Sequence, residues 1–128
     1  MRTLMIVDGA NVVGSVPDGW WRDRRGAAER LRDRLVGFAA EGIPGRPGPI
    51  ELVLVVEGSA KGVESVPGVR VESAPGSGDD RIVELAAGRE GGRACVVVTA
   101  DRELRRRLDE YGAECVGPRT VRSPGERT

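Results

Sequence analysis

The sequence predicts a three-layer α/β/α domain, in which helices cover both faces of a central, mostly parallel sheet of four to five strands. Apolar, β-branched runs of strand length recur along the chain, and segments of helical period separate them. Most of these runs are apolar throughout, which is typical of strands buried on both faces. The length of 128 residues fits one domain of ordinary size.

The first half of the chain contains the following predicted elements, in order. A short apolar run predicts a strand over residues 3–7, and glycines predict a tight turn that opens a helix or loop over residues 9–14. Apolar side chains at three- and four-residue steps predict an amphipathic helix over residues 20–40. Proline and glycine predict a loop over residues 42–49. A β-branched run predicts a buried strand over residues 51–56.

The second half continues the alternation after a weakly patterned segment, residues 58–68, in which one short helical turn is expected. Apolar runs predict three more strands: residues 69–71, 95–98 and 113–116. Helical periodicity predicts two more helices: residues 79–87 and 101–111. The domain is therefore expected to span residues 1–118, followed by a polar C-terminal tail over residues 119–128.

Composition and charge exclude several classes of function. The chain has 20 basic and 20 acidic residues, and this balance argues against indiscriminate, tight coating of nucleic acid. It has no histidine, so histidine-assisted serine and cysteine nucleophiles and the usual zinc sites are excluded. General acid–base chemistry would therefore have to come from carboxylates or from metal-bound water.

The sequence also predicts a cytoplasmic location and no membrane partner. No apolar run approaches the ~20 residues that a membrane span needs, and the first residues lack the pattern of a signal peptide. Cys95 and Cys115 belong to no C-x-x-C motif, so we expect them to be small, buried and reduced.

Carboxylates stand where predicted strands give way to the next segment. Asp8, Glu57 and Asp101 each follow closely on an apolar strand, and Asp79 and Asp80 begin a helix. The carboxyl ends of parallel strands share one edge of a sheet, so these acids are expected to converge there. Like charges that meet repel unless a cation neutralises them. The pattern therefore predicts a site for Mg²⁺ or Mn²⁺.

A second interpretation gives the same acids structural roles. Aspartate is a favoured helix N-cap, and Asp79 and Asp101 both stand at the start of amphipathic helices. Asp8 would be an Asx-turn residue, and Glu57 the first solvated residue after a buried strand. Capping needs one acid, whereas Asp79 and Asp80 stand together, so the combination favours the metal site.

Two neutral polar residues accompany the acids. Asn11 lies three residues after Asp8, where its amide can donate to a carboxylate or phosphate oxygen or can serve as a turn residue. Thr99 lies two residues before Asp101, where its hydroxyl can cap the helix or bind a metal-bound water.

Four motifs together resemble the PIN-like nucleases, and among them the NYN domains of YacP type. The motifs are V-D-G-A-N, V-V-E-G, G-D-D-R-I-V-E-L and V-V-T-A-D-R-E-L, and the resemblance covers about residues 3–118. It implies a small α/β/α fold with a central parallel sheet, a site for Mg²⁺ or Mn²⁺, and endoribonuclease cleavage of single-stranded or structured RNA. Because related domains often pair, it also implies a homodimer.

Position by position, the resemblance implies four metal ligands: Asp8, Asp79, Asp80 and Asp101. Asn11 and Thr99 would be the accompanying polar residues of the catalytic site. Glu57 is a further candidate ligand, although the NYN branch more usually has aspartate there, and a glutamate reaches farther.

Basic and aromatic residues beside these motifs are candidates for RNA binding. Four arginines could line a phosphate path, although solvated helix faces are the commoner role for such residues: Arg22, Arg25, Arg102 and Arg105. Trp20 or Trp21 could stack on a base, or could pack the start of the first helix.

Two other functions remain open. A non-catalytic RNA-binding or protein-interaction module could keep the fold with a weakened site, which the net neutrality and Glu57 favour. A phosphotransfer receiver or phosphatase-like domain ranks lower, because Glu57 stands where a phospho-acceptor aspartate is needed and Lys61 is misplaced for the late lysine.

Overall fold

The computed structural model describes residues 1–121, and its centre is a sheet of five strands that all run parallel. The described residues contain seven strands, and five of them form this sheet. In chain order the seven are β1 (Leu4–Asp8), β2 (Gly42–Ile43), β3 (Arg46–Pro47), β4 (Glu51–Val56), β5 (Val69–Ser73), β6 (Cys95–Val98) and β7 (Glu114–Val116). The order across the sheet is β5-β4-β1-β6-β7, and β2 and β3 form a separate hairpin.

Within residues 1–121, four α-helices cover the two faces of this sheet: α1 (Gly9–Gly14), α2 (Arg24–Glu41), α3 (Gly78–Ala87) and α4 (Arg102–Asp109). Alternation along β1 sends Met5 and Val7 into the core that α2 covers. Leu4 and Ile6 point to the opposite core, where α3 and α4 pack. The predicted three-layer α/β/α fold is confirmed.

Local turn chemistry accounts for the differences from the predicted elements. The helix expected over residues 20–40 is divided into a 3₁₀ helix, Trp20–Arg22, and α2. Asp23 causes the division because its Oδ1 accepts a hydrogen bond from the Gly26 amide at 3.0 Å and so begins a new helix. The loop expected over residues 42–49 contains the β2–β3 hairpin. The short helical turn expected after β4 is a 3₁₀ helix, Gly58–Ala60.

Ordered packing continues to the end of the described residues. A 3₁₀ helix, Pro118–Val121, follows β7, and the side chain of Val121 is buried in the core beneath α2. Most of the predicted tail, residues 122–128, lies outside the described residues, so the domain boundary at residue 118 stays a prediction. In the part of the chain that the structure describes, no helix is both long and apolar enough to cross a bilayer.

The strand order determines where a site can form. The chain runs outward from β1 through β4 to β5, and α3 then carries it back across the sheet to β6. The direction of winding therefore reverses at β1, and ligands of open α/β sheets bind at the carboxyl ends of the strands beside such a reversal. Asp8, Glu57 and Asp101 lie at these ends.

Candidate active site at the carboxyl edge of the sheet

A cleft of about 430 Å³ opens at the carboxyl edge of the sheet, and we call it the acidic cleft. Four acids from four separate segments line it, together with three small or polar residues: Asp8, Glu57, Asp79 and Asp101 with Ala10, Asn11 and Ser77. The structure thus brings together five of the seven predicted site residues. The other two, Asp80 and Thr99, do not line the cleft.

Asp8 ends β1 and is the most buried acid of the cleft, with 6% of its surface exposed. Its Oδ2 accepts a hydrogen bond from the Thr99 hydroxyl at 2.9 Å, and its Oδ1 accepts from the backbone N–H of Asn11 at 3.4 Å. Burial, and then repulsion from Asp79 and Glu57, raises the pKa of the Asp8 carboxyl to about 6. The ionised form is therefore poorly compensated in this structure.

Thr99 and Asn11 join the loop before α4 to the first strand and helix. The fully buried Thr99 hydroxyl donates to Asp8 and accepts from the Asp101 amide at 3.1 Å. The side-chain oxygen of Asn11 accepts from the Ala100 amide at 2.9 Å. Both residues therefore position the segment that carries Asp101 relative to Asp8.

Asp79 faces the cleft because another residue caps its helix. The Ser77 hydroxyl accepts from the Asp80 amide at 3.2 Å and is the N-cap of α3. Burial, and then repulsion from Asp101 and Glu57, raises the pKa of the Asp79 carboxyl. The capping interpretation is therefore wrong for Asp79. Sequence reasoning missed Ser77, although a serine three residues before an acid is a known capping signal.

Asp80 points away from the acidic cleft. Its Oδ1 accepts a hydrogen bond from Arg107 Nη2 on α4 at 3.0 Å, in an ion pair that is largely exposed. Successive side chains on a helix lie about 100° apart, so Asp79 and Asp80 cannot face the same point. The role predicted for Asp80 as a metal ligand stays a prediction, and Asp79 is the acid of the pair that lines the acidic cleft.

The other two acids of the cleft accept hydrogen bonds from backbone amides at the starts of α3 and α4. Glu57 Oε2 accepts from the Gly78 amide at 2.7 Å, and a Cβ on Gly78 would lie only 3.3 Å from the glutamate Cδ. Asp101 Oδ1 accepts from the Glu103 and Leu104 amides at 2.9 and 3.1 Å, so the predicted cap role of Asp101 is observed. Both bonds of this cap use one carboxylate oxygen.

Two of the four candidate arginines bind backbone carbonyls. Arg25 donates to Lys61 and Gly62 oxygens at 3.1 and 3.0 Å, and Arg105 donates twice to the Thr99 oxygen at 2.9 and 2.6 Å. The other two are exposed: Arg22 lies 5.9 Å from the ring of the neighbouring tryptophan, and Arg102 begins α4. Their contact with phosphate stays a prediction.

The donor chemistry of the cleft fits a hard cation such as Mg²⁺ or Mn²⁺. Carboxylate oxygens are the preferred ligands of these ions, and a cation would relieve the repulsion that raises the pKa values of Asp8 and Asp79. Within residues 1–121, however, no three His, Cys, Asp or Glu side chains already stand in a metal-ligating arrangement. Glu57 and Asp101 each direct one carboxylate oxygen to helix amides, so the second oxygen of each carboxylate is the one that a bound ion would meet.

A parallel α/β/α sheet with acids at its carboxyl edge agrees with the fold of the PIN-like class, which the four sequence motifs resemble. The chain is similar in particular to two crystal structures of Rae1 (YacP) from Bacillus subtilis, one of them a tryptophan-to-leucine mutant. The TM-scores are 0.75 and 0.74 at 21% and 19% identity, over 94% of this chain and 71% and 72% of theirs. This likeness shows a YacP-like NYN fold. No family model and no curated protein sequence matches the chain.

Proposed function

We propose that this protein is an endoribonuclease that hydrolyses phosphodiester bonds of single-stranded or structured RNA with Mg²⁺ or Mn²⁺. The observation that carries the proposal is the acidic cleft, in which Asp8, Glu57, Asp79 and Asp101 face one another at the reversal of sheet winding. The fold shared with Rae1 (YacP) and the resemblance of the motifs to PIN-like nucleases support it.

The chain's own residues would hold the ion and keep the carboxylates in place. Asp8, Asp79 and Asp101 are the proposed ligands, with Glu57 beside them. A bound Mg²⁺ or Mn²⁺ would lower the pKa of a water molecule and neutralise charge on the phosphate. Thr99 keeps Asp8 and the segment of Asp101 in register. The chain has no histidine, so carboxylates would have to accept and donate the protons of the reaction. Hydrolysis by a water molecule would leave a 5′-phosphate and a 3′-hydroxyl.

The proposal includes RNA as partner, a homodimer and a cytoplasmic location. Cys95 and Cys115 are free thiols in the structure, which suits a reducing compartment.

The test is cleavage of end-labelled single-stranded RNA with Mn²⁺, with and without a chelator. We expect Asp8→Asn, Asp79→Asn and Asp101→Asn each to lower the cleavage rate by about 100-fold or more. Asp80→Asn is the matched control because it removes the neighbouring charge on the same helix outside the cleft, and it should cleave like the wild type. Equal rates for all of these variants, or cleavage that survives the chelator, would refute the proposal.

One observation favours the non-catalytic alternative, namely that no three His, Cys, Asp or Glu side chains of residues 1–121 stand close enough together to hold an ion as they are placed. A metal titration separates the two functions. A nuclease should show saturable stabilisation by Mn²⁺ that Asp8→Asn abolishes, whereas an RNA-binding or protein-interaction module should show no ion binding at millimolar concentration.

A further inference from the structure

A second cavity adjoins the acidic cleft, and we call it the Trp20 cavity. Its volume is about 440 Å³, and it shares Ala10 and Glu57 with the cleft. A cavity of this size lies within the range of ligand pockets, about 300–1,000 Å³. Most of its lining is glycine or apolar, and the exceptions besides Glu57 are Arg24 and Lys61.

Trp20 and Arg24 form a stacked pair at one wall of this cavity, because the Arg24 guanidinium lies over the Trp20 ring. The Arg24 guanidinium carbon lies 5.1 Å from the centre of a Trp20 ring, and both residues line the cavity. Indole and guanidinium faces are the protein groups on which nucleobases stack. Trp21 differs from Trp20, since it is 51% exposed and meets Trp20 at a right angle outside the lining. Of the two adjacent tryptophans, only Trp20 can contact a ligand in the cavity.

The charge of the cavity complements that of the cleft. Arg24 and Lys61 bring two cations, and the Lys61 ammonium donates to the Pro75 carbonyl at 3.3 Å, across the loop that leads to α3. The cavity shares Glu57 with the acidic cleft, so an RNA whose phosphodiester lies in the cleft can bring a neighbouring nucleotide and its phosphate to these cations. An apolar recess with two cations and a planar wall fits a base and its phosphate better than it fits a neutral peptide.

Building on the proposed function, we infer that the Trp20 cavity binds one unpaired nucleobase of the RNA, next to the phosphodiester that lies in the acidic cleft. The base stacks on the wall of Trp20 and Arg24, and the adjacent phosphate contacts Lys61. Stacking requires a base outside a duplex but accepts any base, because every base has a planar π face. The substrate class that follows is unpaired RNA with little preference for base identity at this position.

The test scans an abasic nucleotide along a fluorescently labelled single-stranded RNA octamer and measures binding by anisotropy, with Ca²⁺ as the added ion. For the wild type, we expect one abasic position to weaken binding by about 5- to 100-fold. Trp20→Leu should weaken binding of the intact RNA by a similar factor and should lose the response to that position. Trp20→Phe, which keeps an aromatic face, should retain both, and Trp21→Leu should behave like the wild type.

A second measurement does not depend on how Trp20→Leu folds. Lys61→Ala should lower the slope of log affinity against log salt concentration by about 0.7, the value for one phosphate contact on a single strand. The inference is overturned if no abasic position matters, if Trp20→Leu responds as the wild type does, if Trp21→Leu shows the same loss, or if Lys61→Ala leaves the slope unchanged.

The two proposals fail separately in this design. A protein that shows the abasic response but never cleaves RNA with Mg²⁺ or Mn²⁺ would keep the base-binding cavity and lose the nuclease function. A protein that cleaves RNA but responds to no abasic position would keep the nuclease function and lose the cavity.

Discussion

The two ends of strand β4 carry acids in opposite electrostatic surroundings. At the amino end, Glu51 accepts a hydrogen bond from Arg93 and lies 4.0 Å from a guanidinium nitrogen of Arg70. After the carboxyl end, Glu57 faces three other acids of the acidic cleft. No ion pair in the described residues 1–121 joins any of these four acids to an arginine or lysine.

Neighbouring strand β5 shows that pairing is the common arrangement elsewhere on the sheet. Glu72 contacts Arg81 at 2.7 Å and Arg70 at 3.4 Å, and this pairing raises the pKa of the Arg81 guanidinium. The chain has 20 basic residues, so a shortage of cations does not explain the unpaired cleft. The difference teaches that the cleft holds charge at a cost to folding, which is typical of a functional site.

The largest expected effect on stability is at Asp8. Its folded-state pKa of about 6 lies above the ordinary value of 3.8, so the folded state binds this proton more tightly than the unfolded state does. The protonated Asp8 carboxyl therefore stabilises the folded state fully below pH 4, and this contribution is lost as the pH rises through 6. Asp8→Asn should raise the free energy of unfolding by up to about 3 kcal/mol at pH 7. Glu51→Gln, at the paired end of β4, should lower it.

Urea unfolding of the two variants and the wild type, in chelator at pH 4 and pH 7, measures this difference. The gain in unfolding free energy of Asp8→Asn over the wild type should be much smaller at pH 4, where the wild-type carboxyl is protonated and therefore uncharged, as the asparagine is. An Asp8→Asn variant that is less stable than the wild type at pH 7 would contradict the contrast between the acidic cleft and the paired amino end of β4. At pH 7 the wild type is expected to be less stable than Asp8→Asn. Mn²⁺ at 100 times its Kd should offset this difference, because it should stabilise the wild type alone, by about 2.7 kcal/mol.

Glutamine substitutions at the two ends of β4 should have different effects on cleavage. Glu57→Gln keeps an oxygen that can accept from the Gly78 amide, so α3 should still begin at the same residue while the cleft loses one charge. We expect the cleavage rate to fall by about 10- to 100-fold, as for other residues that orient a metal site. Glu51→Gln should leave the rate unchanged, measured under single-turnover conditions. If Glu57→Gln cleaves RNA at the wild-type rate, Glu57 has no role in catalysis beyond its hydrogen bond to the Gly78 amide at the start of α3.

Much of the fold follows from local sequence, because the apolar runs determine where the buried strands lie. The predicted strand bounds at residues 51–56 and 95–98 agree with β4 and β6, since each run is apolar and bounded by polar or turn residues. Carboxylates after such strands had to share an edge once the sheet was parallel. The order β5-β4-β1-β6-β7 depends on long-range pairing and could not be predicted locally.

Finer features of the site depend on helix phase and on that strand order. Ser77 begins α3, and this start alone turns Asp79 into the cleft and Asp80 out of it. Thr99 meets Asp8 only because β6 lies beside β1. Neither relation is visible in a pattern of residue types, although the serine before the two acids carried the capping signal.

A smaller effect is expected from removing the buried hydroxyl that joins Asp8 to Asp101. Thr99→Val has a similar shape but leaves the Asp8 oxygen and the Asp101 amide without this partner, which should cost about 2 kcal/mol of unfolding free energy. It should also raise the pKa of Asp8 further, because the hydroxyl lowers it. Thr99→Ser keeps the hydroxyl and should lie closer to the wild type in urea unfolding. Equal stability of the valine and serine variants would mean that the bridge contributes nothing.

The smallest effect should come from the acid beside the cleft. Asp80 forms a largely exposed ion pair with Arg107, and such pairs contribute about 0–1 kcal/mol. Asp80→Asn should therefore change the unfolding free energy by less than about 1 kcal/mol, and added salt should reduce that change because exposed charges are screened. Asp79→Asn, one residue away, removes a charge repelled by Asp101 and Glu57 and should stabilise the chain in chelator. Similar effects of the two neutralisations on stability would remove the physical distinction between the two faces of α3.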